Sequence, residues 1–281
     1  SKPLRFAEMV LGVQADDQGG ASPVDLNGYL DDFAVWSRIL SDQELRSVYQ
    51  HGSRDIGIAA IREVDSASKL DDELQVLYEF DRVDAVTANS RGSRLPASQV
   101  APAGALVTQE SKAPRIGDGA GDFTQDDATL KLHRSDMQRL MDAPAGDLTI
   151  AYWFKTTART ANHTVWAMSN ETIPSLPYRV NKANAMLATH TIQVGDPETV
   201  LFGLVRPGVS KTARIEATLA DGEWHHLAVT LDQDRARNKL TIRLFVDGTP
   251  SKTPVIDDQV IHPIQGIVSI EELESYVYVR K

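Results

Sequence analysis

The chain has 281 residues, 42% of them hydrophobic, and a formal net charge of −10. That length holds one large β domain or two ordinary ones, with enough apolar content for a sizeable core. The acidic balance argues against nucleic acid as a partner, and the lack of cysteine excludes disulfides, thiol catalysis and cysteine-ligated metals. No apolar stretch approaches the length of a membrane span. Ser1–Phe6 lacks the layout of a signal peptide, so export would need a signal outside this chain.

Two strands are expected early, over Glu8–Gln14 and Leu26–Trp36. One short helix follows. Ser41 is a good N-cap, Glu44 stands three residues on as its capping-box partner, and Gly52 ends the turn. Leu45 and Val48 then face one side. Residues 53–73 carry no clear period and read as a linker crossing the surface in partly extended form. A strand begins again at Leu74–Phe80. Residues 84–114, rich in Ala, Ser, Pro and Gly, read as an irregular loop, and 170–200 is weakly patterned. Asp147–Lys155, Trp224–Leu231 and Lys239–Val246 are β-branched and aromatic, and read as strands. Asp221–Gly222 and Asp247–Gly248 are tight-turn dipeptides. Leu240, Ile242, Leu244 and Val246 alternate with Thr241, Arg243, Phe245 and Asp247, as in an antiparallel sheet with one buried face. The fold class is all-β: an antiparallel β-sandwich with one short helix.

Five segments carry a family resemblance. Gly28–Leu45 (GYLDDFAVWSRILSDQEL) resembles the closing strand and helix of laminin-G-like, concanavalin-A-like jelly rolls. Gly222–Leu231 (GEWHHLAVTL) resembles the family's central strand, and Leu244–Gly248 (LFVDG) its hairpin. Leu148–Phe154 (LTIAYWF) and Tyr78–Asp81 (YEFD) resemble a further strand and the opening strand. Together they cover roughly 8–52 and 74–281.

The order departs from the family, because the closing motif comes first. Residues 1–52 are the end of a jelly roll without its beginning, and 74–281 a jelly roll without its closing strands. About fifty residues cannot stand alone as a two- or three-strand piece, and an unclosed sandwich exposes unpaired backbone and core. Closure in the same chain, closure of a neighbouring chain by strand donation, and a piece cut from a tandem array all remain open. Closure is favoured over a bare piece, and cis over trans, because a linker of about twenty residues reaches roughly 60 Å when extended. Ala7–Val13 and Glu274–Val279 read as the same strand position in two copies.

The resemblance implies calcium near the opening and closing strands. The matching residues are Asp31, Asp32 and Asp81, with Asp118 and Asp122 in the loop Gly117–Asp122. Calcium takes six to eight oxygens, which acidic, glycine-rich loops supply; solvated turn aspartates are the alternative. His225 and His226, adjacent on a strand, point to opposite faces and cannot share one ion. His133, His163, His190 and His262 show no zinc spacing. The glucanase signature E-x-D-x-x-E is absent, and the acidic run Glu271–Glu274 does not replace it. Trp36, Trp153 and Trp224 match core positions of the family that the chain resembles, while Trp166 and Tyr178 are left as candidates for stacking on a sugar. Asn162 and Asn170 begin glycosylation sequons.

The expectation is a non-catalytic extracellular or cell-surface adhesion module. It would bind a glycan or protein ligand through jelly-roll loops, with calcium as cofactor and no enzyme activity. The alternative is an assembly protein that self-associates by strand exchange, residues 1–52 completing a neighbouring subunit.

Overall fold

A computed structural model describes residues 8–12, 26–61, 69–81, 98–99, 115–124, 130–132, 147–159, 163–169, 187–193, 198–206, 209–234, 236–237, 239–251 and 255–257. Tyr178, Asn162, Asn170, His133, His262, the run Glu271–Glu274 and the strand candidate 274–279 lie outside these residues. The strands are β1 (Glu8–Leu11), β2 (Tyr29–Trp36), β3 (Leu74–Tyr78), β4 (Ser98–Gln99), β5 (Gly121–Asp122), β6 (Leu130–Lys131), β7 (Leu148–Lys155) and β8 (His163–Ser169). They continue with β9 (Leu187–Gln193), β10 (Thr199–Arg206), β11 (Val209–Glu216), β12 (His225–Asp234), β13 (Lys239–Val246), β14 (Thr249–Pro250) and β15 (Val255–Asp257). The helix α1 spans Asp42–Gly52, followed by a 3₁₀ turn at Ile58–Ala60.

The strands build two antiparallel sheets. One has the order β11-β10-β9-β8-β1-β6-β4; the other runs β14-β13-β12-β7-β2-β3, with β15 on β13 and β5 on β2. Within this chain β2 therefore lies between β7 and the opening strand β3, and β1 between β8 and β6.

The main core fills the space between the sheets. Leu148, Ile150, Tyr152 and Phe154 of β7 join Leu227, Val229 and Leu231 of β12 and Leu240, Ile242, Leu244 and Val246 of β13 there. Strand alternation sends their neighbours to the outer face. That face is buried too, under α1. Leu77, Ala34, Ala151, Ala228 and Phe245 lie side by side across five strands. The three alanines leave a shallow trough, and Leu45 and Val48 of α1 share a second core with this row. Hence β2 and β7 are buried almost without interruption, where a one-faced sheet would alternate.

The capping box forms as the sequence suggests. Ser41 Oγ accepts from Glu44 N at 3.2 Å, and Ser41 N donates to Glu44 Oε2 at 2.8 Å. Gly52 ends the helix against Trp153, whose Nε1 would lie 2.6 Å from any added Cβ. The bidentate pair Arg243–Asp42, at 2.6 and 2.9 Å, ties the helix start to β13.

Two readings of irregular sequence are corrected. The described parts of 53–73 do not cross the surface extended. Ile58, Ile61 and Leu70 are buried in the second core, Trp36 Nε1 donates to Leu70 O at 2.7 Å, and Arg38 grips the carbonyls of Lys69 and Asp72. Scattered apolar residues pack here on tertiary contacts that no local period announces. The weakly patterned 170–200 also contains β9 and the start of β10. Thr and His alternate with few large apolar residues in β9, which dilutes the strand signal.

Candidate functional site

The site grows from a fault in β2. Asp31 faces Trp153 of β7, but the next paired residue, Ala34, faces Ala151. Three steps on β2 thus match two on β7, which is a β-bulge. Asp32 takes up the extra residue with φ 42, a left-handed conformation that aspartate tolerates better than most side chains. The fault resets the alternation, so Leu30, Phe33 and Val35 all enter the main core. The two aspartates are wholly shielded, at 0% and 2% exposure, without projecting among those apolar side chains.

Both carboxylates meet backbone amides from flanking segments. Asp31 Oδ1 accepts from Asp32 N at 2.9 Å, and its Oδ2 accepts from Arg115 N and Ile116 N at 3.1 and 3.0 Å. Asp32 Oδ2 accepts from Ile58 N at 2.8 Å. The next two amides of the 115–118 loop go to other acids. Gly117 N donates to Asp55 Oδ1 and Asp118 N to Asp81 Oδ1, both at 3.0 Å. Gly117 has φ +64, and a Cβ there would fall 2.1 Å from Asp81 Oδ1; only glycine fits. Four consecutive amides thus serve aspartates from β2, from the chain after α1 and from the chain after β3.

The electrostatics are one-sided. Burial, then the neighbouring Asp32 charge, holds Asp31 well above the usual carboxylate range. Burial pushes Asp32 up to about 7, aided by Glu79 and Asp81 and opposed by the Ile58 amide. Asp81 is raised by burial and then by Glu79 and Asp118, against the amides of Asp118 and Gly119. Arg115 brings a cation near; its guanidinium sits 4.7 Å over the Trp153 ring and is lowered by burial while Asp55, Tyr49 and Asp31 support its charge.

Asp31, Asp32 and Asp81 come together, but a cation needs converging acceptor oxygens, and the groups that meet both oxygens of Asp31 and one oxygen each of Asp32 and Asp81 are N–H donors. Among the described residues no three acidic or histidine side chains are placed to hold a metal. Asp122 stands apart, its Oδ1 taken by Thr124 N and Oγ1 at 2.8 and 2.6 Å. Asp118 is exposed and enters the cluster through its amide. The residues present do not fit calcium. Asp55 and Glu79 were missed in the sequence; only their position after α1 and β3 points to them.

Trp166 is corrected. Its side chain is fully buried in the main core, 5.9 Å from the Phe202 ring, so it offers no face to a sugar. β8 carries it inward between Val165 and Met168, all of them buried. Trp36 and Trp153 are buried as expected, but on the helix side of their sheet. Trp224 is only half-buried, with Lys155 Nζ 5.9 Å from its ring.

The paired histidines do point apart. His226 is buried beside Trp153 and Tyr49, and burial lowers it to about 4, so it is neutral near pH 7. His225 bridges the two tight turns, with Nδ1 2.9 Å from Asp247 Oδ2 and Nε2 3.2 Å from Asp221 Oδ1. The Asp247 hydrogen bond, partly offset by burial, raises its pKa above 6.5. Its contribution to stability is therefore full below about 6.5 and lost as pH rises through the folded value. His225→Asn is expected to lower the urea midpoint in mild acid and to matter less in alkali. An equal loss at both would show that the ring acts by packing alone.

Two packed antiparallel sheets define a jelly-roll β-sandwich. A family model described as the Concanavalin A-like lectin/glucanases superfamily matches residues 125–270, just over half of the chain. The chain belongs to that superfamily, whose lectin-like members bind carbohydrate or protein and which also contains glucanases. No curated protein and no solved structure matches the chain. No helix among the described residues is long and apolar enough to cross a membrane.

Proposed function

We propose that this chain is a non-catalytic recognition module, working outside the cell or at its surface, that binds a glycan or protein ligand through its rim loops. One observation carries the non-catalytic reading. The acids with the most perturbed protonation, Asp31 and Asp32, are shut from solvent and spent on backbone amides. A glycosidase needs two carboxylates flanking the scissile bond, in contact with substrate. The second core supports the rim as the binding surface, because α1 already covers part of the outer face of the eight-stranded sheet. Loops on a rigid scaffold are the usual place for recognition.

The test is binding of the labelled chain to arrays of polysaccharides and of extracellular proteins, with hydrolysis of the same polysaccharides followed by reducing-end release. Saturable binding without hydrolysis is expected. Reducing-end release, or blank arrays of both kinds, would sink the proposal. Strand donation draws less support, because β2 already pairs on both sides within one chain and the described parts of its connection to β3 are packed. Light scattering over a dilution series is expected to give one monomer mass; a mass rising with concentration would restore the assembly reading.

A further inference from the structure

We infer that Asp31, Asp32 and Asp81, the positions a calcium ion would claim, form a metal-independent clasp in which backbone amides occupy the place of the cation. A carboxylate offers about four lone-pair sites. Asp31 spends three of them on the amides of Asp32, Arg115 and Ile116. A cation at those sites would meet the partial positive charge of the amide protons. Asp32 gives Oδ2 to the Ile58 amide and Asp81 gives Oδ1 to the Asp118 amide, one oxygen each. The donors lie on short, fixed segments. Gly117 sits with φ +64 in a space that excludes any Cβ, so the loop is shaped to bring its amides onto the acids.

The clasp has a place in the topology. It joins the closing strand β2, the connection after α1 and the end of the opening strand β3 to one loop. Those are the pieces that the unusual chain order has to hold together. Amide bonds to an ionised carboxylate are among the stronger hydrogen bonds; Asp31, Asp55 and Asp81 share the loop, and Asp32 takes the Ile58 amide beside it.

The experiment uses the full chain and calcium alone as probe. Thermal unfolding is followed in excess calcium chloride and in excess EDTA, and calcium is titrated calorimetrically. Indistinguishable midpoints and no binding heat are expected. A ligand that binds only the native state must raise the midpoint, so a calcium-dependent rise would overturn the inference. Two variants sharpen the result. Gly117→Ala pushes the loop off Asp81, and its midpoint is expected to fall equally in both media. Asp81→Asn keeps an oxygen to accept the Asp118 amide, and is expected to change the midpoint less than Gly117→Ala. If Asp81→Asn abolishes a calcium-dependent shift seen in the parent chain, the acids are metal ligands and the clasp is refuted. If Gly117→Ala does not fold, the parent chain's response to chelation decides the question alone.

Discussion

Asp32→Asn is expected to stabilise the chain in mildly alkaline solution and to leave it nearly unchanged in acid. Asp32 is fully shielded, and burial, then Glu79 and Asp81, raise its carboxyl from 3.8 to about 7. The folded chain therefore binds more protons than the unfolded chain between those values, and stability falls as pH rises through that window. Each pKa step is worth about 1.4 kcal/mol, so the charged form costs at most about 4 kcal/mol above pH 7. Asparagine keeps an oxygen for the Ile58 amide and removes the charge. Urea midpoints measured across that window should slope downward with pH for the parent chain and lie flatter for the variant. Parallel curves would show that Asp32 is ionised at no such cost.

Trp36→Ala is expected to cost about 3–5 kcal/mol, the range for deleting a buried aromatic side chain. Trp36 has no exposed surface, and its ring packs in the second core with Leu40, Leu45 and Val48. The change also orphans the Leu70 carbonyl, which its Nε1 meets at 2.7 Å, and an unsatisfied buried acceptor adds to the loss. Trp36→Phe restores ring volume without the donor and should recover part of the stability. Denaturation curves with far-ultraviolet dichroism would also report whether α1 melts first. A cost below about 1 kcal/mol would mean that the helix layer is not integral to the fold.

The strands with dense β-branched and aromatic runs were legible in the sequence. β7, β12 and β13 fall where alternation puts them, and Ser41 and Glu44 announced α1. The second core was not legible. Its floor is three alanines, Ala34, Ala151 and Ala228, brought level only by the register of three distant strands. The family motifs placed Asp31, Asp32 and Asp81 near one another, and they do meet. Motifs carry residue types, however, and not which partner faces them. That the facing groups are amides depends on the bulge at Asp32 and on the loop turning at Gly117. Trp166 looked unexplained because β8 itself was not recognised as a strand; once it is, the indole falls on the inward side.

The position of β2 also bears on how the chain is made. Leu40 N bonds to Thr149 Oγ1 across 109 residues, and β2 finds its β7 partner at a similar separation. During synthesis, Leu30, Phe33, Val35 and Trp36 leave the ribosome long before β7 exists to cover them. β3 follows about forty residues later and can cover one edge, but the edge that β7 will take stays open while β3 to β6 are translated. Such a wait exposes a strand edge to premature association, and the distant pairing slows closure. The odd chain order therefore places a risk in biogenesis: a strand that finishes the sandwich has an open edge that must be kept from aggregating until β7 is made.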